Sequence, residues 1–209
     1  MKITVFGASG ATGHELIKQS LEKDYRITAF VRDAGKLKVD NHHVKIVQGD
    51  VKHYADVSNA IEPDHAVLIA LGAKTPFKRD PVLIRGMQNI VKVMEEKGAR
   101  RIVYLSFAGV KGSRGQTGFL FEKISATALA NLAADHEEKE QTIRQSALLW
   151  TIVRPAILTR GPYTGETSSG EHLRPRFSNL VISRADVADF MLQQLTVDTY
   201  MKMSPLLSK

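Results

Sequence analysis

Apolar residues along the chain fall into short strand-like runs separated by stretches with helical spacing. Ile3, Val5 and Phe6 are β-branched or aromatic, as a short buried strand requires, and Leu16, Ile17 and Leu21 then keep a helical period. Strand-like runs recur at Tyr25–Val31, Val44–Val47, Ala66–Leu71, Arg101–Ser106 and Leu149–Arg154. His53–Ile61 reads as a helix closed by Pro63, and Ile84, Met87, Val91 and Met94 mark a longer one. Asp80 is placed to cap that longer helix, Pro81 suits its first turn and Gly98 its end. Phe119–Ser146, rich in Ala and Glu, reads as mostly helix. Leu180–Ser183 reads as a short strand, and Arg184–Leu195 as a last helix capped by Ser183. The tail from Thr196 has no assignable pattern.

Strands alternating with helices predict an α/β fold, a doubly wound parallel sheet in three αβα layers. No repeat or linker divides the chain, so residues 1–209 are expected to form a single domain. The stretch 159–180, rich in Gly, Ser and Thr with Pro162 and Pro175, is expected to be irregular, either disordered or a substrate-side loop.

Between the first strand and the first helix lies Gly7-Ala8-Ser9-Gly10-Ala11-Thr12-Gly13. A strand, a tight glycine turn and a helix N-terminus make a phosphate cradle, because free N–H groups and the helix dipole both favour negative charge there. Glycine is needed where φ is positive, or where a Cβ would hold a pyrophosphate away. Dinucleotide binding is therefore the expectation.

Composition narrows the classes. The 209 residues, 43% of them hydrophobic, suffice for an α/β core. No apolar run approaches the roughly twenty residues of a membrane span, and the N-terminus lacks a secretory pattern. The absence of cysteine removes disulfides, thiolate chemistry and Cys-based zinc sites, and agrees with a cytoplasmic location. The net charge of +7 raises nucleic acid as a partner, but Lys and Arg are dispersed without aromatic interleaving. A basic balance also suits an enzyme whose cofactor carries several phosphates. Neither nucleic acid nor membrane is expected as a partner.

The second strand ends Phe30-Val31-Arg32-Asp33. An acid at this point holds the ribose 2′-hydroxyl of NAD, whereas a guanidinium clasps the 2′-phosphate of NADP. Arg32 favours NADP(H), Asp33 argues the other way, and NAD(H) remains the alternative. Asp50 and Val51 follow the third strand, where an acid meets the adenine amino group and an apolar side chain its ring. Ser106 ends the fifth strand, beside the expected nicotinamide, where its hydroxyl orients a carbonyl or a carboxamide or simply makes a local turn bond. His136 lies on a helix expected to border the cleft. The seven histidines form no i, i+4 pair, so no metal is expected, and no Gly-x-Ser-x-Gly elbow supports a serine hydrolase.

The glycine turn, together with Thr151-Ile152-Val153-Arg154-Pro155, resembles the atypical short-chain dehydrogenase/reductase superfamily and its Rossmann-like fold. Phe30–Asp33, Asp135-His136 and Val181–Leu192 narrow the resemblance to its NAD(P)H-binding, NmrA-like members, nearest the biliverdin reductase B-like (flavin reductase) group. The resemblance implies an NADPH-dependent reductase that passes hydride to flavins, quinones or linear tetrapyrroles. It assigns Gly7, Ala8, Ser9, Gly10, Ala11, Thr12 and Gly13 to the pyrophosphate, Arg32 to the 2′-phosphate, and Asp50 and Val51 to adenine. Ala70, Leu71 and Gly72 fall to the central ribose region, Ser106 and Phe107 to the nicotinamide, and Pro155, Ala156, Ile157 and Leu158 to its carboxamide. Ser106 and His136 are the implied catalytic residues, and Phe107, Phe119 and Tyr163 candidate lining residues.

Much of the superfamily transfers a proton with a tyrosine and a lysine four residues later. Here Ala29, Ser58, Ala108, Thr167 and Ser204 follow the five tyrosines at that spacing. Alcohol dehydrogenation or epimerisation by that pair is disfavoured, while flavin reduction does without it. The lack equally permits a non-catalytic NmrA-like NADP(H) sensor, or an assembly factor that kept only the fold. A monomer or small homo-oligomer is expected.

Overall fold

The computed structural model describes residues 1–73 and 75–209. In chain order the elements are β1 (Lys2–Phe6), α1 (Ala11–Glu22), β2 (Arg26–Val31), β3 (Val44–Gln48), α2 (Tyr54–Ala60), β4 (Ala66–Ile69), α3 (Pro81–Lys97) and β5 (Arg101–Leu105). There follow α4 (Phe119–Ala126), α5 (Ala130–Arg144), β6 (Leu149–Pro155), β7 (Ile157–Thr159), β8 (Ser168–Gly170), β9 (Val181–Ser183), α6 (Arg184–Gln193) and β10 (Leu206–Ser208).

The main sheet runs β3-β2-β1-β4-β5-β6-β10-β8, parallel except for β8 against β10. Alternate strand residues feed two cores, one on each face. Ile3, Val5, Leu68 and Val103 pack with Leu16 and Ile17 of α1 and Val187, Ala188 and Met191 of α6. Phe6, Ile69, Ile102 and Tyr104 pack with Val57 of α2, Met87, Ile90 and Met94 of α3 and Ile143 of α5. Burial on both faces is what makes the strands read as nearly continuous apolar runs. The chain winds outward through β1, β2 and β3, then restarts on the other side of β1 with β4. Neighbouring crossovers therefore diverge at the C-terminal ends of β1 and β4 and leave a crevice there.

The expected doubly wound Rossmann-like sheet is present, and the caps are where the sequence places them. Asp80 accepts the N–H of Leu83 at 3.3 Å, Gly98 closes α3 at φ 76°, and Ser183 accepts the N–H of Asp186 at 2.9 Å. The structure adds detail to three of the expectations. Phe119–Ser146 is two helices, because Thr127 turns its hydroxyl back onto the Lys123 carbonyl (2.8 Å) and leaves the helical region at the break. The stretch 159–180 is irregular for most of its length but is tied down. The N–H groups of Thr164 and Gly165 bond Asp186 at 2.8 and 2.9 Å, and Ser168–Gly170 joins the sheet. The unassigned tail supplies β10, between β6 and β8.

Candidate active site

The glycine turn earns its composition residue by residue. Gly7 sits at φ 85°, and a Cβ there would lie 2.5 Å from the Ala70 carbonyl oxygen, so no other residue fits between β1 and β4. At Gly13 a Cβ would come within 2.1 Å of the Gly7 oxygen and 2.8 Å of Ala8 Cα; its absence lets α1 settle against the turn. Gly10 is the N-cap of α1, with no side-chain cap and no acid in the first turn. The dipole and the first N–H groups of this helix are thus left for an anion from outside.

A cavity of about 290 Å³ opens in front of this turn. It gathers Gly7, Ser9 and Gly10 with Arg32, Asp50, Val51, Ala70, Leu71 and Gly72 from four separate segments. Phe30, Val31, Lys36, Val82 and Leu83 complete its wall. Of the remaining turn residues, Ala8, Thr12 and Gly13 are buried behind the cavity, while Ala11 is exposed at the helix start.

Arg32 and Lys36 place two exposed cations at one end of the cavity. Asp33, which the sequence left as a competing signal, caps the turn that follows. Its carboxylate accepts the Gly35 N–H at 3.0 Å and lies 3.9 Å from Lys36 Nζ. Asp50 is fixed from both sides: its N–H donates to Asp56 at 2.9 Å, and its carboxylate accepts the Lys52 N–H at 3.1 Å. Burial pushes this carboxyl up, but the bonds from Lys52 outweigh it and leave it below the usual carboxylate range.

Ser106 does not line that cavity, but it follows β5 at the same edge of the sheet. Ile69 pairs with Tyr104, so Ser106, two residues on, stands at the sheet edge beside Leu71. Here the sheet meets α5. Ser106 Oγ lies 3.4 Å from His136 Nδ1 and donates to Glu140 Oε1 at 2.6 Å. Arg154 grips the same carboxylate with Nε at 2.9 Å and Nη2 at 2.5 Å. Tyr104 reaches His136 Nδ1 at 2.7 Å. His136, Glu140 and Ile143 share one buried face because they lie at i, i+4 and i+7 of α5. Phe107 is buried against His136 and Phe121.

Burial sets the protonation states in this cluster. It pulls the His136 imidazole well below its ordinary value, and the Lys139 charge pulls the same way. Burial pushes the Tyr104 phenol well up, aided by Glu140 and Asp135, so it keeps its proton. A protonated phenol can donate to Nδ1 across the 2.7 Å contact, and that assignment puts the proton of the neutral imidazole on Nε2. Burial also lowers the Lys139 ammonium to about 8, although Asp135, Asp80 and Glu140 pull it upward.

The β6 end is less open than expected. The Pro155 carbonyl accepts the Ala108 N–H at 2.9 Å, the Ile157 N–H donates to Leu180 at 3.0 Å, and the Leu158 carbonyl accepts Arg184 Nη1 at 3.3 Å. Ala156 is buried and Ile157 exposed. Phe119 and Tyr163 are also exposed, and Tyr163 bonds Asp189 at 3.3 Å, so neither is gathered into the cluster. Sequence reasoning missed Tyr104, Glu140, Lys139 and Lys36, and used Arg154 only as a motif letter. The one available signal was Glu140 at i+4 from His136.

The model of a family described as NAD(P)H-binding matches residues 7–198. A chloroplastic protein of Arabidopsis thaliana is 33% identical over 180 residues, covering 78% of this chain and 61% of that longer protein. A short-chain dehydrogenase/reductase from Veillonella parvula, solved in complex with NADP, superposes with a TM-score of 0.84 at 22% identity, covering 100% of this chain and 94% of the other. ChuY, an anaerobillin reductase from Escherichia coli O157:H7, gives 0.80 at 18% identity, covering 99% and 96%. Among the described residues, no helix is long and apolar enough to cross a membrane.

Proposed function

Because the chain belongs to the NAD(P)H-binding family, we propose that it is an NADPH-preferring reductase acting on flavins or similar conjugated rings. The observation that carries this reading is one cavity that joins the free N-terminus of α1 to the cations Arg32 and Lys36. A helix start without acid or cap suits the pyrophosphate, and a forked guanidinium beside an ammonium suits a 2′-phosphate. The NADP carried by the Veillonella parvula protein, and the reductase activity in the name of ChuY, agree with it.

When bound, the coenzyme supplies the hydride. The protein's part is to position two flat rings and keep the cleft partly dry. Gly7, Ser9 and Gly10 approach the diphosphate, Asp50 and Val51 the adenine, and Leu71 and Gly72 the middle of the coenzyme. Ser106 and His136 would stand beside the reacting rings. His136, being neutral, orients rather than protonates, and solvent supplies the proton. The Tyr104 phenol is spent on His136 and has no lysine four residues on, which supports ring reduction over alcohol oxidation.

The test is NADPH and NADH consumption by purified protein with a panel of flavins, quinones and linear tetrapyrroles. Faster turnover with NADPH on at least one ring acceptor is expected. Coenzyme binding without any turnover would transfer support to the sensor reading.

A further inference from the structure

The N-terminal edge of the sheet, opposite the crevice, carries charge that the coenzyme does not use. Register sets it out. Lys2 pairs with Arg26 and Thr28 with Lys45, so cations from β1, β2 and β3 project from one face. It is the face that packs Phe6 and Phe30 with Val57 of α2. That helix ends at Ala60, whose carbonyl accepts the Thr4 hydroxyl at 2.9 Å. A groove of about 250 Å³ opens here, lined by Lys2, Arg26 and Lys45 with His42, His43 and His65. Glu62 is the one carboxylate in its wall. Two more carboxylates stand close by: Asp64 pairs with Lys2 at 2.7 Å, and Asp24 lies 3.1 Å from His43 Nδ1. Arg26 and Lys45 are exposed and have no ion pair among the described residues. His65 rests on the Thr4 hydroxyl at 2.8 Å. Burial pulls its ring below the ordinary value, Asp64 and Glu62 pull it up, and Lys2 and Lys45 pull it down.

We propose that this groove is a second anion site, which takes a small phosphate monoester and holds it more tightly as its histidines gain protons. It shares no residue with the coenzyme cavity. One guanidinium fork and two ammonium groups rise from adjacent strands, whose axes lie about 4.8 Å apart. That spacing suits the oxygens of a single dianionic phosphate, which charged donors bind most strongly. A nucleic-acid backbone needs a longer track of cations to neutralise several phosphates, and this groove is short and concave. The charge count gives the pH dependence. With the three histidines neutral, Lys2, Arg26 and Lys45 are matched by Glu62, Asp64 and Asp24. Each proton taken up by His42, His43 or His65 then leaves one positive charge unmatched. By reciprocity, a bound dianion raises the proton affinity of those rings by the same factor that protonation tightens the anion.

The experiment follows backbone amide NMR shifts while sodium sulfate is added at constant ionic strength. Sulfate stands in for the monoester because it stays a dianion at pH 6 and at pH 8. Amides of residues 26–28 and 42–45 report the groove, and those of 7–13 and 32–36 report the coenzyme cavity separately. Saturable shifts in the groove are expected at pH 6, with a Kd of about 10 mM or tighter, and roughly tenfold weaker binding at pH 8. Glycerol 3-phosphate at pH 7 should shift the same amides at least as far as sulfate does. Arg26→Ala combined with Lys45→Ala should weaken binding in the groove about tenfold or more and leave the shifts in the coenzyme cavity unchanged. His42→Gln combined with His43→Gln should reduce the effect of pH to about threefold or less, since only His65 remains. Shifts confined to the coenzyme cavity, equal affinity at the two pH values, or full binding by the Arg26 and Lys45 variant would each overturn the proposal. So would a short single-stranded DNA that moves the same amides at about a tenth of the sulfate concentration or less, which would mark a nucleic-acid surface instead.

Discussion

Replacing Lys139 by methionine should make the protein more stable at neutral pH and leave it little changed at alkaline pH. Lys139 is 4% exposed, its ammonium lies 5.9 Å from the centre of the Tyr104 ring, and it has no hydrogen bond among the described residues. Burial lowers its affinity for the proton; Asp135, Asp80 and Glu140 only partly restore it, so its value falls from 10.5 to about 8. Each tenfold loss of proton affinity is worth about 1.4 kcal/mol, so holding the charge at pH 7 costs roughly 3 kcal/mol. The sign follows from counting protons. Between pH 8 and 10.5 the unfolded lysine is charged and the folded one is not, so wild-type stability rises with pH across that window. Methionine fills a similar volume and carries no charge. It should gain on the order of 1–3 kcal/mol at pH 7 once loss of the contact with the Tyr104 ring is allowed for, a rise in Tm of several degrees. Urea melts of both proteins at pH 7 and pH 9.5 check this, because titrating groups not coupled to Lys139 cancel in the difference. A variant that is less stable at pH 7, or a gain that does not shrink by pH 9.5, would refute the reasoning.

Three further outcomes are expected. Arg32→Ala should raise the Kd for NADPH about tenfold or more and leave NADH within about twofold, measured by titration, because only the 2′-phosphate loses a charged hydrogen bond. Gly13→Ala should destabilise the fold by at least about 1–3 kcal/mol and abolish any coenzyme-induced rise in Tm, since its Cβ, 2.1 Å from the Gly7 carbonyl oxygen, must push α1 away from the turn. The rate of acceptor reduction should show no inflection near pH 6.5. Burial holds His136 well below that value, so it stays neutral there; a group titrating at 6.5 and lost in a His136 variant would contradict its assignment as a neutral donor.

Local patterns were enough for much of this molecule. The strand runs, the Asp80 cap with Pro81, the Gly98 stop and the Ser183 cap each follow from interactions within a few residues, and each is present. The glycine turn was legible for the same reason, as a strand, a tight turn and a helix start written in seven consecutive letters. The break at Thr127 was missed because a hydroxyl returning to a backbone carbonyl competes with the helix without changing its apolar period. The strand Ser168–Gly170 was missed because its partner, Leu206–Ser208, is short and distant in sequence, and pairing gives both their shape.

By itself, the sequence determined the winding of the sheet and the uncapped helix start at the glycine turn, because both depend on near neighbours and on the period of the apolar positions. Only the tertiary structure decided the chemistry beside Ser106. Serine, histidine, tyrosine, glutamate and arginine arrive there from β5, α5 and β6, and whether each donates or accepts is fixed by the others. Burial is shared among all of them, so neither the neutrality of His136 nor the inward proton of Ser106 belongs to any single stretch of chain.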